Sequence, residues 1–173
     1  MIQDYEDKYA NQIKKLLHEN QYSLPWGAVA EITLLTVDDN KVLAIGSVWK
    51  KAVHPYRNYM GIYVSSDKRN KSIGTDLYNQ LSRISNTDKF QTAIFSTDKV
   101  ATQFLNKVDF NLARKCYETE LSSPNFKYSR EENTTYATLN ADKIEELMQL
   151  YLQNYKDTHR KINPLNEELA FKE

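Results

Sequence analysis

The residue types best suited to chemistry fall in one polar loop. From Tyr59 to Ile84 the sequence reads Tyr-Met-Gly-Ile-Tyr-Val-Ser-Ser-Asp-Lys-Arg-Asn-Lys-Ser-Ile-Gly-Thr-Asp-Leu-Tyr-Asn-Gln-Leu-Ser-Arg-Ile. Met60, Ile62 and Val64 alternate with their neighbours, the period of a strand. Leu77, Tyr78, Leu81 and Ile84 recur at helical spacing and form one apolar stripe. Between them lies the loop Ser65 to Thr75. A strand that passes through a loop into a helix leaves the first-turn N–H groups without partners. Those amides and the positive end of the helix dipole favour a phosphate, and Arg69 and Lys71 would add charge-assisted contacts. The plain alternative is a connector turn whose basic residues are solvated.

Two details bear on the choice. Gly74 falls where the helix begins, and a missing Cβ there would let a ligand approach the backbone. The loop also lacks the Gly-x-x-x-x-Gly-Lys-Ser/Thr pattern of a nucleotide triphosphatase. A phosphate cradle without that lysine points to a cofactor carrying a pyrophosphate.

Arg69-Asn70-Lys71-Ser72-Ile73-Gly74 resembles the Arg/Gln-x-x-Gly-x-Gly/Ala signature of the GNAT N-acetyltransferase superfamily. Ile62-Tyr63-Val64 is similar to the family's apolar strand end just before the arginine. Ala101 to Phe110, Ala-Thr-Gln-Phe-Leu-Asn-Lys-Val-Asp-Phe, resembles a second landmark, Ala-x-x-Phe-Tyr-x-x-x-Gly-Phe. The resemblance spans roughly Ile13 to Leu121. It implies acetyl-CoA as acyl donor and an amine as acceptor, either a small molecule or a protein amino group. It also implies a cofactor site made of Ile62, Tyr63, Val64, Arg69, Asn70, Lys71, Ser72, Ile73, Gly74, Thr75 and Asp98. A non-catalytic acyl-CoA-binding or regulatory module is the second reading.

That second reading rests on departures from the pattern. Ser72 stands where the first motif glycine is usual, and Asp109 replaces the glycine before Phe110. Serine suits its place only if the backbone there needs no positive φ. Leu105 replaces the tyrosine that often protonates the leaving thiolate, Ala93 stands where many members carry a glutamate base, and Asp98 replaces an asparagine that contacts the pantetheine arm. Amine attack on a thioester depends heavily on orientation, with the reacting atoms about 3–3.5 Å apart, and backbone N–H groups near Val64 would stabilise the oxyanion. A general base would be a carboxylate or a histidine. The candidates are Glu31, at a strand start, and His54, in a loop, each with an exposed, solvated alternative. Tyr63 and Tyr117 are candidate proton donors or pocket walls, although twelve tyrosines make neither distinctive.

The elements that must position these groups follow from the pattern. Tyr9 to Asn20 reads as a short amphipathic helix carrying Ile13, Leu16 and Leu17, broken by Pro25-Trp26-Gly27. Ala30 to Val37 and Val42 to Trp49 are β-branched runs around a hairpin turn, Asp38-Asp39-Asn40-Lys41. His54 to Asn58 reads as a loop because of Pro55. Gln91 to Ser96 is expected to be a short strand, Asp98 to Val108 a helix with Val100, Phe104 and Val108 on one face, and Asn111 to Leu121 a last strand. The fold class expected is α/β, GNAT-like, with a mixed, mostly antiparallel sheet flanked by helices.

At 173 residues, the chain suits one domain, residues 1–125, with an appendage at 126–173. There, Thr134 to Leu139 reads as a strand and Ile144, Leu147, Met148, Tyr151 and Tyr155 as a helical stripe. Such a strand and helix resemble the opening of a second GNAT repeat, but no second glycine motif follows. The stripe would pack within the chain or serve a homodimer. Lys+Arg and Asp+Glu are both 23, which argues against nucleic acid as partner. One cysteine, no apolar leader at Met1 to Asn20 and no apolar run near ~20 residues suggest a cytoplasmic protein, not a membrane one. No metal site is expected.

Overall fold

The computed structural model describes residues 1–19, 22–85, 87, 89–117, 143–159 and 164–166. The chain divides into two compact units, Met1–Phe110 with Leu165–Glu173, and Asn111–Pro164. The expected boundary between residues 125 and 126 falls outside the described residues.

Among the described residues, the larger unit has five strands in sequential order: β1 (Ile2–Asp4), β2 (Ile32–Asp38), β3 (Lys41–Lys51), β4 (His54–Val64) and β5 (Phe90–Gln91). The first four are antiparallel, whereas β4 and β5 are parallel. Asp39 and Asn40 turn the β2–β3 hairpin with φ of 44° and 60°, the left-handed geometry these residue types tolerate. The sheet is mixed and mostly antiparallel, as expected.

The helices α1 (Ala10–His18), α2 (Ile73–Ser85) and α3 (Lys99–Lys107) belong to the same unit. Alternation along the strands sorts the core onto two faces. Leu35, Ile45 and Tyr63 pack with Ile13 and Leu17 of α1 on one face. Leu34, Ala44, Val48 and Met60 pack with Leu77 and Leu81 of α2 on the other. Leu77 and Leu81 are fully buried, and each contributes about 1.5–3 kcal/mol by removal from water. Gly46 permits this packing, since a Cβ there would sit 2.7 Å from Leu81 Cδ1.

Three expected boundaries change. His54 to Asn58 is not a loop but the start of β4, and Pro55 is accommodated where the β3–β4 register shifts between Trp49 and Lys51. β5 is only Phe90–Gln91, and no strand runs from residue 92 to residue 96. Residues 111–117 form no strand and are exposed, while the rest of that expected strand and Thr134 to Leu139 lie outside the described residues.

In the smaller unit, α4 spans Ile144–His159. Its expected stripe is largely solvent-facing, with Ile144, Leu147 and Tyr151 exposed and Met148 and Tyr155 half-buried. Among the described residues no helix is long and apolar enough to cross a membrane.

Candidate active site

The loop after β4 has an unusual backbone. A single 3₁₀ turn, Ser66–Lys68, is followed by Asn70 at φ 60° and Ser72 at φ 61°, with Lys71 between them outside the positive-φ set. Alternating hands along successive residues draw their N–H groups into an anion-binding concavity. The concavity opens directly into the first turn of α2. Asp76 N–H bonds the Ser72 carbonyl at 2.9 Å, closing the first helical turn. Among the described residues, nothing accepts from the N–H groups of Lys71, Ser72, Ile73, Gly74 or Thr75. These are the groups a diphosphate would require.

Beside this loop the sheet splits. β5 pairs with β4 only at Asn58↔Phe90 and Tyr59↔Gln91. From Met60 to Val64, β4 has no strand partner on that side among the described residues. Alternate residues of a strand present their backbone groups on opposite edges. The Asn58 N–H bonds Lys89 toward β5, and the Ser65 N–H bonds Leu43 toward β3. Ile62 and Val64 therefore share the open edge with Asn58. The Val64 carbonyl is taken by Arg69 Nε at 3.1 Å, which leaves the Ile62 amide groups and the Val64 N–H for a ligand.

The side chains of the expected cofactor set play differing parts. Arg69 folds back over the strand end, with Cζ 5.7 Å from the Tyr63 ring centroid, so its side chain braces the loop. A Cβ on Gly74 would meet Phe104 Cε2 at 3.3 Å and Val64 Cγ2 at 3.6 Å. A Cβ there would therefore crowd α3's phenylalanine and β4's valine, where the sequence reading expected it to face a ligand. Asp98 caps α3, its Oδ1 accepting from the Ala101 N–H at 2.9 Å. Ser65 Oγ donates to Asp67 at 2.6 Å and lowers that carboxyl's pKa below its ordinary value, with Lys68 a further cause.

The catalytic candidates scatter. Tyr63 lies on the α1 face next to Val64, and its hydroxyl is buried without a partner among the described residues. Glu31 precedes β2 and bonds Val48, two strand spacings (about 10 Å) in from β4, with its carboxylate 3.3 Å from Lys50 Nζ. His54 is at the other end of β4, roughly 30 Å of extended chain from Val64. Tyr117 is exposed and belongs to the other unit. Ala93 is exposed and Leu105 half-buried. Among the described residues, no cluster of His, Cys, Asp or Glu could hold a metal ion.

Tyr22 was not visible as a site residue from sequence. Its ring lies 5.3 Å from that of Tyr63. Burial raises its pKa above the ordinary value, and the Asp98 carboxylate adds to the shift. One tyrosine among twelve gave no signal.

Comparison with known proteins decides the fold. No protein-family model and no curated protein matches the sequence. Solved structures do. The aminoglycoside N-acetyltransferase AAC(6')-Iy in complex with CoA aligns at TM-score 0.57 and 8% identity, covering 70% of this chain and 99% of that one. The chain has the GNAT fold. The 6'-N-acetyltransferase AAC(6')-IG of Acinetobacter haemolyticus aligns at TM-score 0.52 and 14% identity, over 70% of this chain and 98% of that one. A transcriptional regulator from Bacillus halodurans C-125 aligns at 0.55 and 12% identity, over 70% and 99%. In this GNAT-fold chain, the glycine positions of the two motifs are Ser72 and Asp109, and both are left-handed, each at φ 61°. Ser72 thus takes a positive φ, contrary to the expectation that serine suits its place only where none is needed.

Proposed function

We propose that the protein is an acetyl-CoA-dependent N-acetyltransferase that joins donor and amine in a ternary complex. The observation that carries this reading is the row of unpartnered N–H groups from Lys71 to Thr75 beside the open edge of β4. The residues fit the donor: the concavity and the α2 terminus for its diphosphate, the Ile62 and Val64 backbone for its amide-bearing arm. Of the expected cofactor set, Lys71, Ser72, Ile73, Gly74 and Thr75 act through backbone N–H, whereas Arg69 and Asn70 shape the loop. The amine nitrogen forms a bond to the thioester carbonyl carbon, the carbon–sulfur bond breaks, and the amine's proton leaves with the thiol. Positioning supplies most of the acceleration, and Tyr63, beside Val64 on β4 with its hydroxyl buried and without a partner among the described residues, is the candidate proton donor. The exposed, unpaired Cys116 thiol supports a cytoplasmic location.

A non-catalytic acyl-CoA-binding module is the second reading, favoured by Leu105 and by the exposed Ala93. Thiol release from acetyl-CoA over a panel of amines, run beside cofactor-binding calorimetry, separates the two. Turnover on any amine supports the enzyme. Tight binding with no turnover supports the module, and no binding at all removes both.

A further inference from the structure

A groove of about 630 Å³ opens beside the C-terminal end of α1, within the size range of small-molecule sites. Its charged lining is Lys14, Lys15 and Glu19, with His18 beside them, and its aromatic lining is Tyr22 and Trp26. Glu19 is the one carboxylate among these, and it lies 3.8 Å from the Lys15 ammonium. The groove's lining meets β4 on the α1 face, where the Tyr22 ring lies against Tyr63, the neighbour of Val64, and Leu24 against Gly61.

Resting on the transferase reading, we infer that this groove holds the body of the acceptor, and that the acceptor is a small primary amine carrying carboxylate groups. Within the groove's lining a polycationic amine would meet two ammonium groups and one carboxylate, Glu19, already shared with Lys15; Asp98, which acts on Tyr22, lies outside that lining. A carboxylate-bearing amine reverses that balance. Its acidic end meets Lys14 and Lys15, its apolar part lies against Tyr22 and Trp26, and its amino group is directed to the Tyr22 side of the groove, toward β4.

The test is titration of the full chain, with coenzyme A bound, by glutamate and separately by spermidine. Trp26 fluorescence is the readout, with Trp26→Phe removing the contribution of that residue from that of Trp49. Glutamate is expected to bind with an affinity that falls as salt is added. The double variant Lys14→Glu/Lys15→Glu, at two exposed positions, should weaken that affinity about tenfold or more and bring spermidine into the groove. Spermidine binding tighter than glutamate in the unaltered chain overturns the assignment. So does a glutamate affinity indifferent to the double variant, or no response to either probe. Glutamate binding of the expected charge dependence without thiol release from acetyl-CoA keeps the ligand class and removes the transferase. Turnover of spermidine without glutamate binding does the reverse.

Discussion

Ser72 and Asp109 hold left-handed backbone, each at φ 61°, although neither is glycine. Left-handed geometry costs an L-residue roughly 1–2 kcal/mol, somewhat less for aspartate, which bonds locally. Glycine removes that cost but gives back about 0.5–1 kcal/mol of unfolded-chain entropy. Ser72→Gly should therefore raise stability by about 1 kcal/mol or slightly less, and Asp109→Gly by a smaller amount, in urea titration. Gly74→Val should act in the opposite sense. Its side chain would press on Phe104 and Val64, at a cost of about 1–3 kcal/mol. The melting temperature should fall, and calorimetry should show the loss in cofactor affinity to be the smaller effect.

At the scale of elements, the loop depends on Arg69, whose Nε holds the Val64 carbonyl while the guanidinium lies over Tyr63. Arg69→Ala frees that carbonyl and loosens the strand end, and coenzyme A affinity should drop about tenfold. Arg69→Lys should recover little, since an ammonium has no fork to span carbonyl and ring. Unchanged affinity in the alanine variant would mean the loop holds its shape unaided. Tyr22 joins α1 to the same region, and burial is the larger cause of its raised pKa, with Asp98 second. The sign follows from proton binding. Above the ordinary tyrosine pKa of 10.0 the unfolded chain releases this proton while the folded chain keeps it, so stability falls as pH rises past that value. Tyr22→Phe should make the decline between pH 10 and 11 shallower than in the unaltered chain.

For the whole molecule, a ligand that binds only the folded state stabilises it by mass action. Coenzyme A at a hundred times its dissociation constant should add about 2.7 kcal/mol to the unfolding free energy. Inorganic pyrophosphate reaches the amides of the loop but not the β4 edge, so it should give a smaller shift at equal concentration. Equal shifts would mean that the open edge takes no part.

How much was legible depends on how local each feature is. Hydrophobic periodicity placed α1, the β2–β3 hairpin, α2 and α3, because burial of one face repeats at the period of the element itself. Motif spacing pointed to the loop from Arg69 to Gly74 for the same reason, since the amides left without partners there are consecutive in sequence. Other features needed the fold. Nothing in the sequence said that Pro55 would be absorbed into β4, that β5 would stop at Gln91, or that a Cβ on Gly74 would face Phe104. Those outcomes are set by neighbours distant along the chain. The residues named for acid and base work scattered for that reason, and the ring contact of Tyr22 with Tyr63 is likewise one that only tertiary packing creates.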